Sequence, residues 1–244
     1  MNPFIQIPYL PAFDRMTPES ATEAFAQLLP EARAAADALE KTAAPTWPGL
    51  VRALYDACHP LNDAWGLLSH LLTVMNGDAW RRVQEALEPE IVAFSLRVGQ
   101  SRAFYDGYLA LRDADRRAPC LTPVQRRILT KTIQDAEQAG VGLPADKQAR
   151  FNEIQVELAK LGTTFRNNVL DATKAFSFTL RTLAEAEGLP PSLRAVTAQA
   201  ARAAGEADAT PEAGPWRITL DAAVYVPFMM HSRNRAAREK LNRA

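Results

Sequence analysis

Residues 151–182 read FNEIQVELAKLGTTFRNNVLDATKAFSFTLRT, and the spacing of their apolar residues changes partway along. Up to Lys174 the apolar residues recur every three or four positions, which is the spacing of one helix face. These residues are Phe151, Ile154, Leu158, Leu161, Phe165, Val169 and Ala172. From Ala175 to Thr182 apolar and polar residues alternate, which is typical of a half-buried β-strand. The stretch therefore predicts a long helix that is followed directly by a strand.

Four more helices are predicted before this stretch, each from apolar residues at helical spacing. The first begins at Thr17-Pro18-Glu19, which provides an N-cap, a proline at the first helical position and an acid in the first turn. The second begins near Thr46, and the third runs through residues 78–108. The fourth follows Thr122-Pro123 and ends at Gly140-Val141-Gly142, where glycine provides a C-terminal cap. All five predicted helices are compatible with an antiparallel arrangement, and their faces are too apolar to stand alone.

A second alternating stretch, Trp216–Asp221, predicts a strand that pairs with the first one. An Ala-rich helix that extends to about Ala204 is predicted between the two strands. Two short helices are predicted at residues 222–231 and from Asn234 onward. We therefore expect a mainly α fold, a bundle of long antiparallel helices with a small two-stranded β element in the C-terminal third.

Two domains are predicted from this order of elements. Residues 1–174 are expected to form an N-terminal helical bundle, and residues 175–244 a strand-helix-strand-helix segment that is continuous with it. Residues 234–244 are good helix formers that end without glycine, proline or other punctuation. We therefore expect the chain to be truncated at its C-terminus.

Composition and charge exclude several classes of protein. The chain has 244 residues with 28 Lys and Arg against 28 Asp and Glu, so its formal net charge is zero. A zero net charge argues against binding of nucleic acid or a membrane surface through the overall field. The sequence has no secretory signal, and no apolar run approaches the roughly 18 residues that a membrane span needs. We therefore expect a cytoplasmic protein with no nucleic-acid partner and no membrane partner.

The three histidines do not begin the zinc-peptidase motif His-Glu-x-x-His, in which two imidazoles lie one helical turn apart and the glutamate acts as a base. His59, His70 and His231 are followed by proline, leucine and serine. Cys58 and His59 are adjacent, so on a helix their side chains diverge by about 100°. The sequence therefore predicts no metal ligand and no cofactor in this chain.

Cys120 follows Pro119 close to Arg116 and Arg117, and two guanidinium groups could lower the pKa of its thiol. A catalytic cysteine also needs a histidine base, so we favour the interpretation of a lone loop cysteine. The serine-hydrolase motif Gly-x-Ser-x-Gly does not occur, and the Gly140-x-Gly142 pair lacks the third glycine of a dinucleotide loop. The predicted set of catalytic, cofactor-binding and metal-binding residues is therefore empty.

Two polar groups of residues have more than one interpretation. The last segment carries Arg233, Arg235, Arg238, Lys240 and Arg243 against Glu239 alone. This pattern favours a solvated helix surface, with an anion-binding or interdomain face as the alternative. Asn167 and Asn168 lie one turn from Asp171 at the end of the long helix, which favours capping or interdomain hydrogen bonding over catalysis.

Several segments occur in an order that resembles a known family. They are Leu10-Pro11-x-Phe13, Gly140-Val141-Gly142-Leu143-Pro144, Phe151–Phe165 with Asn167–Thr173, Trp216–Asp221 with Tyr225–Met229, and Asn234-Arg235-x-x-Arg238-Glu239-x-Leu241. The ordered set resembles the thimet-oligopeptidase family of zinc metallopeptidases, specifically its oligopeptidase A branch, and covers essentially all 244 residues. One departure is Ala222-Ala223-Val224, where relatives often carry a proline before the tyrosine.

The resemblance implies a helical N-terminal region that forms one wall of a deep channel, which admits short peptides. It also implies that zinc and the His-Glu-x-x-His helix belong to a catalytic region beyond this chain, so no catalytic residue is carried over. We therefore expect the non-catalytic channel-wall region of a cytoplasmic peptidase that hydrolyses short peptides. This chain alone is expected to be inactive, with the missing catalytic region as its partner. The alternative is a stand-alone helical protein–protein interaction module without enzymatic activity.

A region without its catalytic half is expected to expose apolar surface, through which a homodimer could form. Tyr225–Met230 are the candidate residues, because they are a run of mostly large apolar side chains.

Overall fold

The computed structural model describes residues 2–7 and 9–244. The protein is 71% helical, and its described residues form nine α-helices and one two-stranded antiparallel sheet in the C-terminal part. This confirms the predicted fold class. The helices are α1 (Pro18–Thr42), α2 (Ala53–Val74), α3 (Asp78–Gly99), α4 (Arg102–Arg117), α5 (Pro123–Gln138), α6 (Ala145–Ala175), α7 (Pro191–Ala203), α8 (Ala222–His231) and α9 (Arg235–Asn242). The strands are β1 (Ser177–Leu180) and β2 (Trp216–Thr219).

The chain divides into two compact units, Met1–Lys160 and Leu161–Ala244, and the division falls inside α6. Each unit has a hydrophobic core of its own. The domain limits of 1–174 and 175–244 stay a prediction.

The core of the first unit forms where α1 packs against α2 and α3. Buried residues recur along α1 from Ala21 to Ala36 at the spacing of one helix face, because that face is turned toward the neighbouring helices. The ring of Phe25 packs edge-on against that of Trp65, with 5.9 Å between the ring centroids. A six-residue π-helical turn, Trp47–Arg52, leads into α2, and the hydroxyl of Thr46 accepts a hydrogen bond from the Gly49 backbone N–H there.

The prediction of one long third helix is wrong, because the structure divides this segment into α3 and α4. α3 ends at Gly99, and Ser101 begins the next helix by accepting a hydrogen bond from the Phe104 backbone N–H at 3.3 Å. A short break of this kind leaves the apolar spacing almost unchanged, so periodicity alone does not reveal it.

The apolar face of α6 does not pack into a core, contrary to the prediction of a fifth bundle helix. Thr163 is the one buried residue among the described side chains of its 31 residues. The predicted inward-facing residues Ile154, Leu158, Leu161 and Phe165 are all exposed. The sequence pattern correctly indicates a helix here, but the structure turns the apolar side to solvent.

The second unit is organised around the two strands, which pair antiparallel with Leu180 opposite Trp216 and Ser177 opposite Thr219. This confirms the predicted pairing across the inserted helix. Trp216, Ile218 and Phe228 are completely buried in the core of this unit. α7 and α8 both pack on β2, because the alternation of β2 directs its apolar side chains to one face.

A close approach of two backbones holds the end of α8 within the second unit. Gly188 has a φ of +87°, and a Cβ at this position would overlap the carbonyl oxygen of His231. The Arg233 backbone N–H donates to the Glu187 carbonyl at 3.0 Å, and the two side chains form an ion pair at 2.7 Å. Glycine is required here because it adopts the left-handed conformation without strain and has no Cβ that would overlap the carbonyl oxygen.

We expect Gly188→Ala to lower the free energy of unfolding by about 2–4 kcal/mol, since it adds both backbone strain and a steric overlap. Gly205→Ala is the matched control, because Gly205 has a φ of +100° and a Cβ there would meet no atom within 4 Å. The free energy of unfolding of the control should fall only by the cost of the backbone strain, about 1–2 kcal/mol. Urea unfolding of both variants measures the difference, and equal losses would contradict the role given to the backbone contact.

Candidate functional site

A groove of about 750 Å³ lies in the first unit between α3 and the beginning of α6. Its lining includes Arg97 of α3, Gln100 at the C-cap of that helix, and Asn152, Glu153 and Glu157 from α6. The groove is open to solvent along one side. Grooves with apolar walls and a few placed polar groups are the usual form of ligand sites, so it is the candidate binding surface of this unit.

An exchange of hydrogen bonds between two side-chain amides fixes the two walls of the groove. Gln100 Nε2 donates to Asn152 Oδ1 at 2.6 Å, and Asn152 Nδ2 donates to Gln100 Oε1 at 3.2 Å. Gln100 Nε2 also donates to the Ala139 carbonyl at 2.8 Å, and Gln148 Nε2 donates to the Gly140 carbonyl at 3.1 Å. These bonds hold the first turns of α6 to the corner that follows α5, where Gly140 has a φ of +89°.

Arg97 ties the groove to α1. Its Nη2 pairs with Asp37 and also lies 3.0 Å from Glu40 Oε2. Nη1 of the same guanidinium is buried without a hydrogen-bond partner among the described residues. Because two carboxylates already balance this charge, Arg97 connects helices and is poorly suited to bind an anion.

The side chains that line the groove can bind a ligand through hydrogen bonds and apolar contacts. Its described lining residues offer amide donors and acceptors, two exposed carboxylates and the apolar side chains of Leu96 and Val156. Histidine, cysteine, serine and threonine are absent from this lining. The groove therefore suits an extended peptide that is held by polar contacts, and it holds no nucleophile that could attack such a peptide.

A smaller cleft of about 400 Å³ in the same unit contains Cys58 and Tyr108. Burial raises the pKa of the Cys58 thiol. Burial also raises the pKa of the Tyr108 hydroxyl to about 12, with a smaller contribution from the charge of Cys58. A raised pKa keeps the thiol protonated, which is the opposite of what a cysteine nucleophile needs.

His59 and His70 both lie on α2 and make separate local contacts. His59 Nδ1 lies 3.2 Å from Asp63 Oδ1 on the next turn of α2, and its ring stacks on that of Tyr55. The ring of His70 lies 5.4 Å from that of Phe13. In residues 2–7 and 9–244 the structure contains no group of three or more His, Cys, Asp or Glu side chains that could hold a metal ion.

Three of the five basic residues of the last segment make local contacts in the second unit. Arg243 pairs with Glu239 at 2.8 Å, and the Lys240 ammonium lies 4.9 Å from the centre of the Phe178 ring. Arg233 pairs with Glu187, as described above. These contacts favour the interpretation of a helix surface over that of an anion site.

Two predicted features of the second unit are only partly as expected. Asn167 is half-buried and Asn168 is exposed, but both lie inside α6, which continues to Ala175, so neither caps it. The apolar surface predicted at Tyr225–Met230 is confirmed for Val226 and Met230, which are exposed, and is wrong for Phe228, which is completely buried.

A buried carboxylate that the sequence does not reveal joins α4 to α5. Asp115 accepts hydrogen bonds at 2.8 Å from the backbone N–H groups of both Cys120 and Leu121, and Arg126 Nε donates to it at 2.5 Å. The hydrogen bond from Arg126 and those from the two backbone groups hold the pKa of Asp115 well below its usual range. Sequence reasoning missed this group because Asp115 and Arg126 lie on different helices.

Residues 25–148 match the family described as Neurolysin/Thimet oligopeptidase, N-terminal domain. This match covers half of the chain and includes the α3 wall of the groove, whereas most of the α6 wall lies after the matched residues. The chain therefore belongs to the neurolysin/thimet oligopeptidase family.

The most informative relatives are oligopeptidases A. The chain is 39% identical over 243 residues to the probable cytosolic oligopeptidase A of Arabidopsis thaliana. This alignment covers 100% of the chain and 34% of that protein. It is 40% identical over 243 residues to the organellar oligopeptidase A of the same plant, with coverage of 100% and 31%. It is 34% identical over 244 residues to oligopeptidase A of Escherichia coli K12, with coverage of 100% and 35%.

The chain thus spans about a third of the length of the curated relatives that it matches. Among the described residues, no helix is both long enough and apolar enough to cross a membrane.

We expect Asp115→Asn to lower the melting temperature at pH 7 by about 5 °C or more, because the backbone N–H groups of Cys120 and Leu121 and the Arg126 guanidinium lose a charged acceptor. The folded-state pKa of Asp115 is depressed, so its stabilisation is present above its ordinary pKa of 3.8 and is lost as the pH falls below that value. The difference between wild type and variant should therefore shrink between pH 5 and pH 2.

Asp135→Asn is the control for this experiment, because Asp135 forms an exposed ion pair with Lys131 one turn away on α5. Exposed pairs contribute little, so the control should melt within about 2 °C of wild type. A difference for Asp115→Asn that persists unchanged in acid would contradict the charge-based explanation.

Proposed function

We propose that this chain is the N-terminal, non-catalytic region of an oligopeptidase A-like zinc metallopeptidase that hydrolyses short peptides in the cytoplasm. The observation that carries the proposal is the match along the whole chain to only about a third of each oligopeptidase A relative. The remaining two thirds of those proteins leave room for a catalytic region that this chain would adjoin.

The zinc of such an enzyme is assigned to that catalytic region. The described residues do not fit a zinc site, because a structural or catalytic zinc needs at least three convergent protein ligands. His59 and Asp63 supply one close pair of potential metal ligands on adjacent helical turns, and no third ligand joins them among the described residues. In this proposal the chain holds and orients peptides, and the bond-breaking step belongs to the catalytic region.

The groove between α3 and α6 is our candidate for a peptide-contacting part of the channel wall. Backbone amides of an extended peptide need both donors and acceptors, which Gln148 and the two groove carboxylates, Glu153 and Glu157, can supply. The mutual bonds of Gln100 and Asn152 keep the groove at one width. As one wall of the proposed channel, a surface held at a fixed position would admit short peptides and exclude folded proteins by size.

One observation favours a second candidate function. The exposed apolar residues of α6 are what a stand-alone protein–protein interaction module would present to a partner. A reading frame that continues past Ala244 into a His-Glu-x-x-His helix would exclude this alternative, and an immediate stop codon would favour it.

The 244-residue chain is expected to show no hydrolysis of an internally quenched fluorescent peptide above the buffer blank, with or without added zinc. It is also expected to bind no stoichiometric zinc, as measured by elemental analysis after gel filtration. The physical reason is the missing ligand set. Zinc-dependent turnover by the purified chain would refute the proposal that its role is non-catalytic.

A chimera tests the positive part of the proposal. In it, this chain replaces the matching third of E. coli oligopeptidase A. We expect the chimera to hydrolyse the same peptide with a kcat/KM within about tenfold of the parent enzyme, since 34% identity preserves the fold. A chimera that is folded by circular dichroism but inactive would contradict the proposed role.

A further inference from the structure

An unpaired apolar line runs along the part of α6 that belongs to the second unit. Leu161, Phe165 and Val169 are 53%, 69% and 49% exposed. They lie four residues apart on one continuous helix, so they share one face. We call these three residues the α6 stripe. Ile154 and Leu158, in the part of the helix that belongs to the first unit, are exposed as well.

The opposite side of the same helix is the one that is shielded from solvent. Thr163 is buried, and Asn167 and Leu170 are half-buried. α6 therefore shields a partly polar side and exposes its most apolar one. In a water-soluble helix the apolar side is normally the covered one, so the α6 stripe indicates a covering element that the described residues do not contain.

The size of the α6 stripe helps to identify what covers it. Three half-exposed side chains present on the order of a few hundred Å² of apolar surface, whereas a stable complex between separate molecules buries roughly 800 Å² on each partner. Separate molecules also lose translational and rotational freedom on association, which a segment of the same polypeptide does not. A small stripe is therefore better suited to a contact within one polypeptide than to a dimer.

The relatives are long enough to contain such a segment. The α6 stripe lies inside the aligned 243 or 244 residues, and each oligopeptidase A relative has about twice that length in addition. We infer that the α6 stripe is the docking surface for an apolar helix or strand face of that additional region. This inference rests on the proposed function and adds to it the surface by which the two regions join.

Thiol labelling tests this inference residue by residue. Phe165→Cys and Lys160→Cys are made both in the 244-residue chain and in the chimera with E. coli oligopeptidase A described above. Lys160 is exposed and lies about 140° around the helix from Phe165, so it is the matched control. Maleimide incorporation at each introduced cysteine is followed by peptide mass spectrometry, which separates it from reaction at Cys58 and Cys120.

In the 244-residue chain we expect both introduced cysteines to react at similar rates. In the chimera we expect the cysteine at position 165 to react at least tenfold more slowly, with position 160 unchanged within about twofold. Rapid labelling at position 165 in the chimera would overturn the inference. Protection that already occurs in the 244-residue chain and grows with its concentration would assign the stripe to a second copy, and would also overturn it.

A second variant keeps the inference testable if the chimera does not fold. In the 244-residue chain Phe165→Glu should leave the melting temperature within about 1 °C of wild type, because an exposed side chain is replaced. A fall of several degrees would mean that this chain itself covers the stripe, and the inference would fail.

The two proposals fail in different ways. A chimera that cleaves peptides while position 165 stays reactive removes the docking inference and leaves the proposed function intact. A folded, inactive chimera in which position 165 is protected supports the docking inference and removes the proposed function.

Discussion

Burial of one face of α1 is the constraint on which the first unit depends. α1 is 25 residues long, and both α2 and α3 pack against it. Because Asp37 and Glu40 on α1 hold Arg97 on α3, the same helix also places one wall of the groove. The position of the candidate binding surface therefore follows from hydrophobic packing some distance from it.

α6 differs from α1 in that its apolar face is exposed to solvent. Its sequence is amphipathic, and an amphipathic helix is stable when its apolar face is covered. In this chain the ends of the helix belong to two different compact units, and the apolar face is exposed in both. The docking surface inferred above would account for an apolar face that the described residues leave exposed.

The shifted pKa values of Asp115 and Cys58 have structural causes. The depressed pKa of Asp115 arises from hydrogen bonds that join α4 to α5, and the raised pKa of Cys58 arises from burial. Perturbed pKa values often mark active sites, but structural networks perturb them as well. Here each perturbation has a structural cause, and neither group lines the groove between α3 and α6.

The sequence by itself determined the helices, the paired strands and most of their limits, because these depend on short-range signals. Thr17 and Thr122 begin helices as their capping patterns predict, and the glycine-rich corner at Gly140 ends one. Only the tertiary structure decided which helix faces are covered, where the third predicted helix breaks, and that Gln100 meets Asn152 across the groove. The reason is that such contacts join residues far apart in sequence, here 52 positions apart, and no local pattern carries their geometry.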